Sequence, residues 1–404
     1  MRALLGIAML LAIALALSES RREIQWRIVA SAFALQAGLG LLVLFLPVGQ
    51  QLLQALSAGV GQLVAYADEG TRFMFGPLAG DEIGFVVAIR VLPVIVFVSS
   101  LVAVLYHLQV MPVVVRLIGG ALHRLLGVSR VEGLAAAANI FVGMVEAPLA
   151  VKPYLTKLNR AQFFCVLAGG LSSVTGAMLL AYAGLGIEIQ YLVAAAFMAA
   201  PGGIVMAKIL VPEPAAERGN DPGADPDIQR QPAANVVEAA ADGAAAGLKI
   251  ALAVGAMLVA FVALLALANG LTAGAGKLVG YDGLSLDLLL GWVVAPLAWL
   301  MGIPWQEAVT AGNLIGQKTI LNEFIAYLNF SQLADTLSDH TQAVLTFALC
   351  GFANLSALAI LMGGMATLLP ERKSEVAQLG LRAVLAGTLS NLMSASLAGL
   401  FLSI

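Results

Sequence analysis

The chain of 404 residues contains few charged side chains. Its 21 Lys and Arg together with 24 Asp and Glu make up 11% of the residues, whereas 60% are hydrophobic. The mean hydropathy is +0.94. Soluble domains typically carry about 25% charged residues, so this composition excludes a soluble globular protein and indicates one that crosses a membrane several times.

Basic tracts, cysteine and histidine are also scarce. The formal net charge is only -3 and the chain has no basic tract, so nothing indicates a nucleic acid partner. The two cysteines, Cys165 and Cys350, lie in apolar runs, which is typical of buried cysteine rather than of a disulfide or a metal site. No His or Asp pairs with the serines of the apolar segments, so we expect no hydrolase and no other enzyme.

Eight apolar stretches approach the roughly 20 residues that a helix needs to cross a bilayer. They are residues 3–17, 28–47, 91–111, 162–185, 190–211, 247–270, 341–368 and 380–403. Arg and Lys concentrate in the loops after the first, third and seventh stretches and before the fourth. Because positively charged loops stay in the cytoplasm, we expect eight spans with both termini outside.

Three further segments are more polar. Residues 51–72 and 112–130 interleave apolar and polar side chains, which predicts helices that lie on the outer and inner membrane surfaces. Residues 212–234 are rich in Pro, Asp, Glu, Gly and Arg and show no hydrophobic period. This composition predicts a flexible cytoplasmic linker between two halves of the protein.

Two carboxylates, Glu146 and Glu323, lie inside apolar stretches. A charge that faces lipid costs several kcal/mol, so such residues normally face a polar cavity. The surrounding regions, 131–160 and 287–328, are interrupted by Gly, Pro and Asn, and each must return to its starting side if the basic loops are cytoplasmic. Both regions are therefore predicted to be re-entrant hairpins, which occur only where protein or a wet cavity covers the backbone.

The two halves resemble each other in outline. Each predicted hairpin precedes a span with polar residues in its middle, at 171–176 (Leu-Ser-Ser-Val-Thr-Gly) and 351–356 (Gly-Phe-Ala-Asn-Leu-Ser). The loop charges place the hairpin entrances on opposite sides, which predicts an inverted repeat. Paired interrupted segments of this kind indicate the midplane binding site of a transporter. An ion channel could use the same parts, but it would carry current without saturable uptake.

Three segments resemble the concentrative nucleoside transporters, a family of sodium- or proton-coupled symporters. They are residues 295–305 (Ala-Pro-Leu-Ala-Trp-Leu-Met-Gly-Ile-Pro-Trp), residues 318–327 around Glu323, and residues 350–356 (Cys-Gly-Phe-Ala-Asn-Leu-Ser). The resemblance implies an all-α polytopic membrane protein with eight transmembrane helices, two opposed re-entrant hairpins and an inverted repeat. It also implies a homotrimer in which a scaffold surrounds moving transport domains.

The resemblance assigns a role to particular residues. Glu323 and Asn354, in an unwound seventh helix, are expected to bind the ribose, and Glu146 is expected to lie near the base. The expected substrate-binding set is Glu146, Glu323, Asn354, Phe352, Met144, Val145, Met178 and Ser356. The expected sodium ligands are the Asn139 side chain, the Val142 carbonyl, Ser173 and the Val174 carbonyl. Such neutral oxygens suit a hard cation.

Three positions depart from the family pattern. Met144 and Val145 replace Gln and Thr or Ser before Glu146, and Ala357 replaces a second Ser. An apolar wall discriminates weakly between similar ligands. We therefore expect ribose recognition to persist and base recognition to be looser or shifted, in the direction of purines. Proton coupling through Glu146 and Glu323 stays open, as does a related carrier for nucleobases or another small polar solute.

These expectations divide the chain into five parts. The parts are N-terminal helices and scaffold (1–130), first hairpin with helices 4 and 5 (131–211), linker and connector (212–246), scaffold helix 6 (247–286), and second hairpin with helices 7 and 8 (287–404). We expect a multi-pass protein of the bacterial inner membrane with both termini periplasmic. Its expected partners are a nucleoside, Na+ without an organic cofactor, membrane lipid and two further copies of the chain.

Overall fold

The computed structural model describes residues 2–80, 86–219, 233–278, 280, 281 and 283–403. Over these residues all regular structure is helical. The α-helices are α1 (Arg2–Ala16), α2 (Trp26–Leu44), α3 (Pro47–Phe75), α4 (Val87–Arg90), α5 (Leu92–His107), α6 (Val110–Leu126), α7 (Arg130–Ala138), α8 (Glu146–Ala150), α9 (Lys152–Leu155), α10 (Arg160–Ser172), α11 (Gly176–Gly184), α12 (Ile189–Leu210), α13 (Val236–Leu278), α14 (Leu286–Leu300), α15 (Trp305–Ile320), α16 (Glu323–Leu333), α17 (Asp339–Leu349), α18 (Leu355–Leu368) and α19 (Lys373–Phe401). Short 3-10 turns lie at Arg21–Glu23, Gly76–Ala79, Ala215–Glu217, Ala334–Thr336 and Pro370–Arg372.

Within the described residues, six helical segments are long and apolar enough to cross a membrane. They are Trp26–Leu44, Val87–His107, Arg160–Gly184, Ile189–Leu210, Val236–Leu278 and Pro370–Phe401. A seventh candidate is the pair α14 and α15, which is bent by 117°. The expected all-α multi-pass architecture is confirmed, whereas the count of eight spans stays a prediction because α1 and α18 are shorter than the rest.

The order of elements repeats along the chain. A long apolar helix, a shorter helix, a helix–turn–helix segment, a broken helix and a second long helix occur in α5 to α12 and again in α13 to α19. The first members of the two series, α5 and α13, pack against each other, as do the last members, α12 and α19. Each broken helix packs against both α12 and α19. The helices thus occur in a repeated order, and the inverted relation between the two halves stays a prediction.

Burial separates an inner group of helices from an outer one. In α12, 94% of the apolar window is buried, whereas in α13 only 17% is. Helices α12 and α19 thus form a core around which the broken helices lie. The apolar face of α13 requires cover from lipid or another subunit, because soluble proteins rarely expose so large an apolar surface.

Two predicted spans are interrupted at their polar middles. The stretch 162–185 is divided into α10 and α11, because Ser173 is extended and Thr175 caps the second piece by accepting from the Met178 N–H. The stretch 341–368 is divided into α17 and α18 in the same way, with Asn354 as the cap of the second piece. Side chains that cap a helix favour a break at their own position.

The region predicted to form the second hairpin, 287–328, contains two helix breaks, and its re-entrant form stays a prediction. Helix α14 ends before Gly302, whose φ of +107° suits glycine, and Pro304 caps α15. Glu323 follows a second break, between α15 and α16. The helix–turn–helix segment that carries this carboxylate is therefore 305–333, and α14 precedes it as the counterpart of α6.

The sixth long helix also differs from its prediction. It begins at Val236 and not near 247, because the Ala-rich residues 239–246 are good helix formers although they are not apolar enough to count as a span. Its 43 residues correspond to about 65 Å, roughly twice a bilayer core. Residues 220–232 of the predicted linker lie outside the described residues, and the predicted surface helices are observed as α3 and α6.

Candidate functional site

Glu323 is the first residue of α16. The preceding residue, Asn322, caps the helix, and its side-chain oxygen accepts from the Ile325 N–H at 2.9 Å. The N-terminus of a helix favours a carboxylate because the free N–H groups and the macrodipole are positive there. The break between α15 and α16 thus places a buried carboxylate, 5% exposed, at a helix end that stabilises its charge.

The orientation of the Asn354 amide is determined by its role as the cap of α18. Its Oδ1 accepts from the Ala357 N–H and from the Ser356 hydroxyl, both at 2.7 Å. The NH2 group consequently points away from the helix and donates to Glu323 Oε2 at 2.8 Å. The cap therefore presents an amide donor to the carboxylate.

Glu323, Asn354 and Ser356 form one cluster, as predicted. Tyr182 completes it, because its hydroxyl donates to Glu323 Oε1 at 3.0 Å. The Ser356 hydroxyl is also within 3.0 Å of the Leu321 carbonyl. Elements α11, α16 and α18 thus converge on a carboxylate with two neutral donors, an arrangement able to exchange these partners for ligand hydroxyl groups.

A second cluster contains three of the four predicted cation ligands of the first half, namely Asn139, Ser173 and the Val174 carbonyl. The Ser173 hydroxyl donates to the Asn139 carbonyl at 2.7 Å and lies 3.2 Å from the Val174 carbonyl. The Asn139 side chain is 2% exposed, and neither its Oδ1 nor its Nδ2 has a hydrogen-bond partner. An unpaired buried amide is costly, and a hard cation at its oxygen would satisfy it. Sodium therefore fits these residues.

Backbone contacts connect the two clusters. The Phe352 N–H donates to the Ser173 carbonyl at 3.1 Å, which joins the break of α17 and α18 to the break of α10 and α11. The Gly176 N–H donates to the Phe141 carbonyl at 3.0 Å, which joins the first hairpin to α11. Hydrogen-bonded backbone therefore connects the Asn139 cluster to the Glu323 cluster.

The tip of the first hairpin is built differently. Met144 is buried with its Cβ beside Gly170, and Val145 contacts Gly364. Glu146 is exposed, and its carboxylate occupies the space that a side chain at Gly143 would need. Glu146 therefore differs from Glu323, whose side chain is buried. Of the other predicted residues, Met178 is buried, and Phe352 and Val142 are half-buried.

Several buried polar residues were not among the predicted site residues. Tyr182 and Asn391 have no signal in a single sequence that separates them from packing residues. Glu132 and Lys208 form a buried ion pair of 2.6 Å between α7 and α12. Glu132 directly precedes the apolar residues 133–138, so the cost of burying a charge could have singled it out as it did Glu146 and Glu323.

Three family profiles match the chain. Those described as the Na+ dependent nucleoside transporter C-terminus and N-terminus match residues 191–399 and 5–78. A profile described as nucleoside recognition matches residues 88–188. The chain belongs to the concentrative nucleoside transporter family. This transporter is accordingly a multi-pass membrane protein, and its family consists of nucleoside transporters rather than enzymes.

Full-length relatives are similar to this transporter. It is 47% identical over 410 residues to the nucleoside permease NupC of Helicobacter pylori, covering 99% of this chain and 97% of that protein. It is 49% identical over 402 residues to YutK of Bacillus subtilis, an uncharacterized transporter, covering 99% and 98%. With human sodium/nucleoside cotransporter 1 the identity is 34%, over 98% of this chain and 63% of the human protein.

Solved structures of CNTnw share the fold. The inward-facing substrate-bound state has a TM-score of 0.93 at 48% identity, covering 99% of this transporter and 98% of that chain. A variant in an intermediate state has a TM-score of 0.96 at 47% identity, covering 100% and 99%. The architecture deduced from helix order and packing is thus that of a known transporter fold.

Proposed function

We propose that this transporter imports nucleosides across the bacterial inner membrane by symport with sodium. The observation that carries the proposal is the cluster of Glu323, Asn354 and Tyr182, with a buried carboxylate held at the junction of two broken segments. A ribose offers vicinal hydroxyl groups that can donate to the two carboxylate oxygens. The Asn354 amide both donates and accepts, so it can complete the clamp.

Sodium is the proposed coupling ion because Asn139, Ser173, and the carbonyls of Val142 and Val174 supply neutral oxygen ligands. Bound there, the ion would supply positive charge that orders the first hairpin against α10 and α11. The backbone bond from Phe352 to Ser173 would transmit that order to the substrate cluster. A coupling of about 1 to 3 kcal/mol between ion and nucleoside is typical of linked sites.

The proposed transport step moves the hairpins and broken helices as one body past α5 and α13. The burial contrast between α12 and α13 supports this division into a moving core and an outer scaffold. The exposed apolar face of α13 supports the homotrimer, in which scaffold helices of different copies would cover one another. The two halves would then expose the cluster to one side of the membrane at a time.

Two alternatives differ from this proposal in the coupling ion or in the substrate. Proton coupling is favoured by the two membrane carboxylates, Glu146 and Glu323, whereas sodium is favoured by the unpaired Asn139 amide. A nucleobase carrier would have no use for the Glu323 and Asn354 clamp, because a free base carries no sugar hydroxyl groups.

Uptake into proteoliposomes separates these possibilities. Radiolabelled uridine, adenosine and uracil are supplied with an inward sodium gradient, an inward proton gradient or no gradient. We expect accumulation of the nucleosides only with sodium, and its loss in Asn139→Ala with retention in the half-buried control Gln190→Ala. Accumulation driven by protons alone would refute sodium coupling, and uptake of uracil in preference to nucleosides would refute the substrate class.

A further inference from the structure

A buried lysine lies at the crossing of the broken helices, outside the substrate and sodium sites described above. Lys318 is on α15, two residues before its end, and is 1% exposed. Its Nζ donates to Asn391 Oδ1 at 2.7 Å and to the Ala348 carbonyl at 3.3 Å. Among the described residues it forms no ion pair with Glu323, so its partners are an amide and a helix end rather than a carboxylate.

Asn391, on α19, connects the Lys318 ammonium group to two further backbone carbonyl groups. Its Nδ2 donates to the Ser172 carbonyl at 2.7 Å and to the Cys350 carbonyl at 2.9 Å. Ser172 is the last residue of α10, and Cys350 follows the last residue of α17. Helix C-termini leave carbonyl groups unpaired and carry partial negative charge, which a cation stabilises. Lys318 and Asn391 together therefore hydrogen-bond carbonyl groups at the C-terminal ends of α10 and α17, the first pieces of the two broken helices.

The repeated order of elements gives this position a counterpart. In the first half, the end of the hairpin helix α7 meets the break of α10 and α11, and there Asn139, Ser173 and Val174 present neutral oxygens without a charge. In the second half, the end of the hairpin helix α15 meets the end of α17, and there the protein provides its own ammonium group. In both halves the end of a hairpin helix thus meets the end of a broken helix. A proposed ion site lies at this meeting point in the first half, and a lysine lies there in the second.

We propose that Lys318 is a resident cation of the second half, in the position equivalent to the coupling ion of the first. It is a positioning residue: its charge holds the end of α17, and through it Phe352 and Asn354, in the arrangement that binds substrate. The inference rests on the proposed function for the identity of the substrate. Its consequence is that the second half is organised permanently, whereas the first half is organised only when an ion binds.

Chemical rescue tests the charge directly. Lys318→Ala removes three methylene groups and the ammonium, which propylammonium can replace, whereas propan-1-ol matches its shape without charge. Lys318→Met fills the same space with a neutral side chain. For each purified protein, nucleoside affinity in sodium and apparent melting temperature are measured with propylammonium, with propan-1-ol and with neither.

We expect both variants to bind nucleoside about tenfold more weakly or worse, because buried carbonyls lose a charged partner. Propylammonium should restore affinity and melting temperature in Lys318→Ala, propan-1-ol should not, and Lys318→Met should respond to neither. Unchanged affinity in both variants, or equal rescue by propan-1-ol, would overturn the proposal. If neither variant folds, Lys318→Arg and Lys318→Gln decide: binding by arginine alone supports a resident cation, and equal behaviour of the two refutes it.

Nucleoside affinity and melting temperature distinguish a failure of the role of Lys318 from a failure of the proposed function. If the wild-type protein binds neither uridine nor adenosine in sodium, the proposed function fails. The melting temperature still reports whether Lys318→Ala is destabilised and whether propylammonium restores it.

Discussion

At the scale of single residues, Glu323 is the side chain on which substrate binding should depend most. Its two oxygens accept hydrogen bonds from Tyr182 and Asn354, and its side chain is almost fully buried. A ligand hydroxyl that replaces one of these donors meets a charged acceptor in a dry site. Hydrogen bonds to charged groups contribute about 1.5 to 3 kcal/mol, more than those between neutral groups.

We predict that Glu323→Gln weakens nucleoside binding by about tenfold to a hundredfold, because a carboxamide cannot accept from donors at both of its terminal atoms. Isothermal titration calorimetry on the purified protein in sodium measures the affinity. Glu188→Gln, at the exposed N-terminal end of α12, is the matched control and should leave affinity unchanged. Equal affinity of Glu323→Gln and the wild type would remove Glu323 from the substrate site.

The tip of the first hairpin should govern the choice of base. Met144 and Val145 lie beside Gly170 and Gly364, and their apolar side chains offer none of the hydrogen bonds that a Gln and a Thr would. A site that hydrogen-bonds its ligand rejects analogues far more strongly than an apolar wall does.

We predict that Met144→Gln combined with Val145→Thr shifts the ratio of uridine to adenosine affinity by about tenfold towards uridine. Competition binding with both nucleosides measures that ratio, and Met206→Leu serves as a volume-conserving control at a buried position of α12. A ratio that stays at its wild-type value while both proteins fold would contradict the role assigned to these two positions.

At the scale of elements, only the break of the seventh span was expected, through the family resemblance, whereas the fourth span was predicted as continuous. Ser173 and Asn354 lie in polar patches within apolar stretches, and each break occurs where a capping side chain competes with the helix. The predicted span 247–270 lies within α13, and hydropathy does not mark the start of that helix because the Ala-rich residues before the span favour a helix without being strongly apolar. Asn391 could not be found, because its partners are the Lys318 ammonium group and the backbone carbonyls of Ser172 and Cys350, which lie on three distant segments.

A buried ion pair joins the start of the first hairpin to α12. Glu132 Oε1 lies 2.6 Å from Lys208 Nζ, and Glu132 Oε2 accepts from the Ser129 N–H at 2.9 Å in a capping box. The exposed fractions of the two charged side chains are 1% and 2%. Removing one member of a buried pair leaves an uncompensated charge and costs about 3 to 5 kcal/mol, whereas replacing both is often tolerated.

We predict that Glu132→Gln lowers the apparent melting temperature markedly and that adding Lys208→Met restores most of the loss. Glu23→Gln is the control, since its ion pair with Arg218 is more than a third exposed on both sides and should contribute at most about 1 kcal/mol. Thermal unfolding in detergent compares the four proteins. If the double variant were no more stable than Glu132→Gln alone, the penalty could not be attributed to the unpaired Lys208.

At the scale of the whole molecule, transport requires the buried core to change its exposure relative to the scaffold. Gln306, at the start of the second hairpin, belongs to the proposed moving body, and Leu278, at the end of α13, belongs to the proposed scaffold. Both side chains are exposed, and the predicted orientation places both outside. The native cysteines, Cys165 and Cys350, are buried, so a cysteine introduced at either position would be labelled selectively.

We predict that sodium with nucleoside changes the rate at which a membrane-impermeant maleimide labels Gln306→Cys by about fivefold or more, because ligands shift the populations of inward and outward states. The labelling rate of Leu278→Cys should stay constant, since the scaffold keeps its place in the membrane. The measurement is made on sealed proteoliposomes of one orientation, with sodium alone and nucleoside alone as further conditions. Equal rates for Gln306→Cys under all conditions would contradict movement of the hairpin as part of a rigid body, and a parallel change at Leu278→Cys would contradict the division between α13 and the moving core.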